Sequence, residues 1–105
     1  WTGDNGDPDN FLWVLLSAPA AEVPAGNIAF WKNDKFTALV KQAKETADVK
    51  KRTDLYLQAQ VVFKEEAPWV TIAHSLVVEP MKKTVEGFVL YPTGKRYFAP
   101  VWLSK

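Results

Sequence analysis

Asn33-Asp34-Lys35-Phe36-Thr37-Ala38-Leu39-Val40-Lys41-Gln42-Ala43-Lys44-Glu45-Thr46-Ala47-Asp48 is the stretch from which the fold unfolds in both directions. Phe36, Leu39, Val40, Ala43 and Ala47 recur at i, i+3, i+4, i+7 and i+11, one apolar stripe at helical period. Asn33 or Asp34 can cap this helix, since a short side-chain oxygen satisfies amides left free at a helix start. Asp48 then opens a second helix reaching about Glu66, with Leu55, Ala59 and Val62 along one side and Tyr56 and Phe63 beside them. Lys50, Lys51, Arg52, Lys64 and Glu65 are expected in water. Pro68 ends the helix because the residue before a proline is pushed out of the helical region. The joint at Thr46-Ala47-Asp48 is so short that the two helices must form an antiparallel or angled pair.

Downstream the period changes from 3.6 to 2. Residues 69–74 read as a strand, Leu76-Val77-Val78-Glu79 as a second, and 85–91 as a third broken by Gly87. Pro92-Thr93-Gly94 turns the chain back, and Val101-Trp102-Leu103 is a last extended piece. Helices followed by short strands give a lopsided sheet with several open edges. That predicts missing neighbouring chain, and dimerisation or strand exchange in isolation.

Upstream, residues 17–27 combine prolines and a glycine with alanines and read as an irregular surface loop. Before it, Phe11-Leu12-Trp13-Val14-Leu15-Leu16 suits a short helix capped by Asp9 or Asn10. Being apolar on every side, it is expected to be fully buried or to turn one half toward a ligand cavity. The chain begins Trp1-Thr2-Gly3-Asp4-Asn5-Gly6-Asp7-Pro8-Asp9-Asn10, a cluster of acceptors on a turn beside an aromatic ring. Such chemistry suits recognition of a cationic group such as an amine, and is poor equipment for covalent catalysis.

Composition narrows the classes further. A chain of 105 residues, 48% hydrophobic, is one small domain's worth of globular material. Thirteen basic residues against twelve acidic ones give a net charge of +1, which argues against nucleic acid as a partner. The absence of cysteine removes disulfides and thiolate chemistry. No apolar run approaches the roughly 18–20 residues that a bilayer span requires.

Each chemically suggestive residue has a plainer competitor. The Asp4, Asp7, Asp9 spacing resembles the start of a calcium loop, but Gly6 sits too early and no glutamate follows at the right distance. Capping the next helix and holding a tight turn is the stronger reading for Asp7 and Asp9. Asp4 differs, because it lies two residues after the strand-like Trp1-Thr2, where a side chain can face a cleft. His74 is the sole histidine and cannot assemble a metal site, so a strand-end imidazole bonded to backbone is favoured over a hydrolytic role. Glu65 and Glu66, near the unfavourable end of a helix dipole, are expected to find lysines. Trp13, Trp31, Trp69 and Trp102 are read as core. No catalytic constellation and no cofactor motif stands out.

The opening eleven residues, through Phe11, resemble a motif of the periplasmic dipeptide-binding proteins, in the peptide and nickel class (family 5) of ABC-transporter solute receptors. Lys51-Arg52-Thr53-Asp54-Leu55-Tyr56-Leu57-Gln58-Ala59-Gln60 and Glu65-Glu66-Ala67-Pro68 are similar to that family's penultimate helix and its exit. Ile72-Ala73-His74-Ser75, Val85-Glu86-Gly87-Phe88-Val89 and Pro92-Thr93-Gly94-Lys95 are similar to its closing strands. The resemblance covers the whole chain and implies the C-terminal fifth or so of a two-lobed receptor of α/β class, a type II periplasmic-binding-protein-like fold. By the same resemblance, residues 1–74 would belong to the ligand-gripping lobe, and residues 75–105 would be the crossover and closing strands of the other lobe.

The implied function is narrow. Asp4 would pair with the α-amino group of a short peptide, with Trp1, Thr2 and Gly3 lining the same pocket. The residue holding the peptide carboxylate would lie upstream of this chain. The resemblance implies a non-enzymatic receptor without cofactor or metal, placed in the periplasm of a Gram-negative bacterium and delivering its ligand to an inner-membrane ABC permease. Some members of the class take haem or other oligopeptides. The cysteine-free loop at 18–27, where some relatives carry a cystine, and Trp13 and Trp31 are departures that can reshape the pocket. The rival from another class is a stand-alone structural or interaction domain in which the acidic turn merely caps a helix.

Overall fold

Both helix starts expected around residues 33–48 are made by the side chains that the sequence offers. The computed structural model describes residue 3 and residues 5–105. Asn33 Oδ1 accepts the Phe36 N–H at 2.8 Å and opens α2, Asp34–Glu45. Asp48 Oδ1 accepts the Lys51 N–H at 3.1 Å and opens α3, Val49–Glu66. The helix ends ahead of Pro68 as expected, but Ala67 leaves it through the left-handed region (φ 44°) common at helix ends and not the extended region that a proline favours before it, with its N–H bonded to Phe63 O at 2.9 Å.

The chain divides into two units, Gly3–Thr71 and Ile72–Lys105. The first holds the core. Phe36, Val40 and Ala43 of α2 are fully buried, and Leu55, Tyr56, Ala59 and Val62 of α3 meet them. Trp31 tilts over Phe36 at 4.9 Å between ring centroids, and Phe63 bridges edge-on to Trp31 and Trp69. Ala47, the last member of the stripe, falls past the end of α2 and is exposed.

α1, Asp9–Leu16, packs against α2 but is not swallowed by the core. Leu16 is buried and Leu12, Trp13 and Leu15 are partly so, whereas Phe11 and Val14 are exposed. Full burial of this helix is therefore corrected: a second apolar layer would be needed to cover its outer face, and no element of this unit supplies one among the described residues. The expected surface loop at 17–27 also has a buried anchor. Asn27 donates from Nδ2 to Ser17 O and Trp31 O at 3.1 and 2.8 Å. The Ala18 N–H, at the start of the 3-10 turn Ala18–Ala20, bonds Thr37 Oγ1 of α2 at 3.0 Å. Trp13, Trp31 and Trp69 flank the core as expected, but Trp102 is exposed.

The second unit departs most from expectation. Its strands are β1, Val85–Glu86, and β2, Trp102–Leu103, paired antiparallel with Val85 opposite Leu103. Gly87 ends β1 at φ +75° against the Pro100 carbonyl, a contact no Cβ would allow. Residues 69–80 form no ladder with any of the described residues. β propensity creates a strand only where a second backbone accepts its hydrogen bonds, and none does so among the described residues. His74 accordingly sits exposed outside any strand, and Glu65 and Glu66 are solvated rather than paired with lysines among the described residues.

Two outcomes follow for the isolated chain. Phe36→Ala should lower stability by about 3–5 kcal/mol in denaturant titration, since it empties the centre of the α2–α3 seam. Val70, Ile72 and Leu76 each present about nine-tenths of their surface to water, so the chain should self-associate with rising concentration. Size-exclusion chromatography reads this directly; a clean monomer at millimolar concentration contradicts it.

Candidate functional site

The acidic turn ahead of α1 is laced by its own side chains. Asn5 Oδ1 accepts the Asp7 N–H at 3.0 Å, Gly6 adopts φ +72° between them, and Asp7 Oδ1 accepts the Asp9 N–H at 2.9 Å. Asp7 therefore caps the helix and holds the turn, as read for it from the sequence, while no cap bond from Asp9 is seen. The helix begins at Asp9, two residues ahead of the Phe11 read as its first, with Pro8 at the cap position and no side-chain bond of its own.

Two cations of the helix pair reach this turn. Arg52 Nη2, from the first turn of α3, lies 2.7 and 2.6 Å from Asp7 Oδ1 and Oδ2. Behind it stands the buried Tyr56, one helical turn on, whose phenol oxygen is 3.4 Å from the same nitrogen. Lys44 of α2 sits 3.7 Å from Asp9 Oδ2 and 5.1 Å from the Trp13 ring centroid. Arg52 was expected in water, and that is corrected. Its difference from the two lysines before it was the available signal, because a guanidinium suits a fixed carboxylate better than an ammonium does.

The Asp7 carboxyl is held below its usual value: the Asp9 N–H lowers it most, partial burial opposes that with the next-largest effect, and the hydrogen bond and charge of Arg52 lower it further. Its contribution to stability is thus complete above the ordinary carboxylate pKa and disappears as pH falls through the lowered folded value.

Of the residues assigned to ligand contact, Gly3 is described. It is partly buried, and a Cβ on it would meet Phe11 Cε2 at 3.0 Å, so its backbone rests against that ring. Trp1, Thr2 and Asp4 lie outside the described residues. Among the described residues no three His, Asp or Glu side chains gather as a metal cage. Chemically, the turn is a preorganised polar rim with two of its acids already engaged.

The Escherichia coli K12 dipeptide-binding protein is 48% identical over 101 residues, covering 96% of this chain and 19% of the relative. A solved structure, the ABC transporter-associated periplasmic binding protein DppA from Helicobacter pylori in complex with peptide STSA, matches the whole chain with TM-score 0.88 and 40% identity, over 21% of its own length. This chain is a homologue of the dipeptide-binding proteins. Heme-binding protein A of Haemophilus influenzae is also similar, 42% identical over 90% of this chain and 17% of the relative. No protein-family model matches. The chain has the fold of one part of a periplasmic peptide-binding protein, as the sequence implied, and spans about a fifth of the length of the curated relatives it matches.

The turn's chemistry can be tested through Asp7. Asp7→Asn should cost about 1 kcal/mol at neutral pH, the low end for a charge-assisted bond because the pair is partly solvated. Urea midpoints of the variant and the parent should converge in acid, where Asp7 is protonated in both folded and unfolded chains.

Proposed function

We propose that this chain is a segment of a periplasmic solute-binding receptor that takes up short peptides, without catalysing a reaction, and hands them to an inner-membrane ABC permease. The observation that carries the reading is the whole-chain likeness, in sequence and in fold, to dipeptide-binding proteins, one of them solved with a peptide. In this reading residues 1–74 contribute to the lobe that grips the peptide, and residues 75–105 cross to and close the other lobe. The change from a helical unit to one built of turns and a short hairpin supports that division.

Asp4 is assigned to the peptide α-amino group, with Trp1, Thr2 and Gly3 around it. Asp7 and Asp9, the neighbouring acids, are engaged by Arg52 and Lys44, which supports giving the ligand role to Asp4. An ammonium loses its water when a cleft shuts, so it requires a charged acceptor already in place. Leaving such a charge buried and unpaired costs about 3–5 kcal/mol, which favours a free N-terminus over a blocked one. Main-chain pairing would add affinity without reading side chains.

The similarity to a heme-binding protein supports a second reading, haem as cargo, which a haemin titration followed by absorbance distinguishes. For the peptide reading, calorimetry on the complete receptor should show Asp4→Ala weakening dipeptide binding by more than roughly tenfold. Undiminished affinity, or equal affinity for an N-acetylated dipeptide, rejects it.

A further inference from the structure

We propose that Arg52 is a positioning residue for the peptide-binding turn, acting through Asp7. The inference rests on the ligand role assigned to Asp4 and extends it to a side chain on another element. In sequence, residue 4 lies between two anchored points. On one side Gly3 rests against the Phe11 ring of α1. On the other, the 5–9 turn is closed by the Asn5 and Asp7 side chains. The Asp7 carboxylate ties that turn to α3, both of its oxygens meeting Arg52 Nη2.

Arg52 is itself placed by the core. It stands in the first turn of α3, four residues before the buried Tyr56, with its guanidinium carbon 5.5 Å from the Tyr56 ring centroid. Its position is thus set by the α2–α3 seam. An acceptor that must meet a desolvated ammonium has to be held to within a fraction of an ångström, roughly 0.5 Å, by groups behind it. Neighbouring hydrogen bonds within the turn fix its internal shape, and the contact with α3, short and made to both carboxylate oxygens, is its firmest side-chain anchor to the helix pair among the described residues. The second cation, Lys44, is a weaker tether: it is 3.7 Å from Asp9, and half its side chain is in solvent.

The test is a double-mutant cycle in the complete receptor, read by calorimetry with alanyl-alanine. Arg52→Gln and Asp7→Asn should each weaken binding on the order of tenfold. The double variant should be no weaker than the poorer single one, because each change severs the same tether. Arg52→Lys should recover part of the loss, which a mere packing role for the side chain would not give. Independent effects that multiply in the double variant, or wild-type affinity in Arg52→Gln beside a crippled Asp4→Ala, overturn the proposal. Should Asp4→Ala bind normally while Arg52→Gln does not, the positioning role stands and the assignment of Asp4 falls; if both bind normally, both fall. Where Arg52→Gln does not fold, Arg52→Lys and Asp7→Asn with their double variant form the same cycle.

Discussion

Everything ordered in the first unit leans on one seam, the contact of Phe36, Val40 and Ala43 with Leu55, Tyr56, Ala59 and Val62. Two amphipathic helices of 12 and 18 residues are marginal alone in water, because nucleating a helix is costly and propensity gives little back. Packed together they exclude water from a continuous apolar strip. The ring contacts from Trp31 through Phe63 to Trp69 then extend that strip beyond the C-terminal end of α3. α1 attaches to its margin and could not persist without it.

The seam also sets the coordinates of the polar turn. Tyr56 is a core residue that touches Arg52, Arg52 holds Asp7, and Asp7 caps the start of α1. Packing in the interior is thereby converted into placement at the rim, through charge-assisted bonds that are short and directional. A looser core would move the turn even if every turn residue were kept. This is why, in the proposed function, the two helices matter to the ligand through the turn that they hold.

How much of this could be read from residues alone follows from the range of each interaction. Caps at Asn33 and Asp48 and the stop at Pro68 are local, involving three or four neighbouring residues, and they were legible. The stripe of α2 was legible except at Ala47, where the helix had already ended. Strands at 69–80 were not, since Val70 or Ile72 states a preference but cannot name a partner, and none is present among the described residues. The Asp7–Arg52 tether spans 45 positions. Nothing in the spacing of either residue points to the other; only the folded helix pair brings them together. The ligand assignment at Asp4 came from resemblance, and the likeness to dipeptide-binding proteins supports the family without testing that residue.

Charge balance explains why two acids of the turn should be occupied before a ligand arrives. Asp4, Asp7 and Asp9 lie within six positions of sequence, and carboxylates repel one another wherever they are brought together. Left free, they would favour water or a multivalent cation over a single ammonium. Arg52 on Asp7 and Lys44 on Asp9 remove two of the three charges from the competition. In the proposed function one acceptor then faces one ammonium, and the cost of desolvating the pair is met by a partner of matching charge rather than by an excess of it. Selectivity for a peptide's free N-terminus would therefore come as much from what silences the neighbouring acids as from the acid that binds.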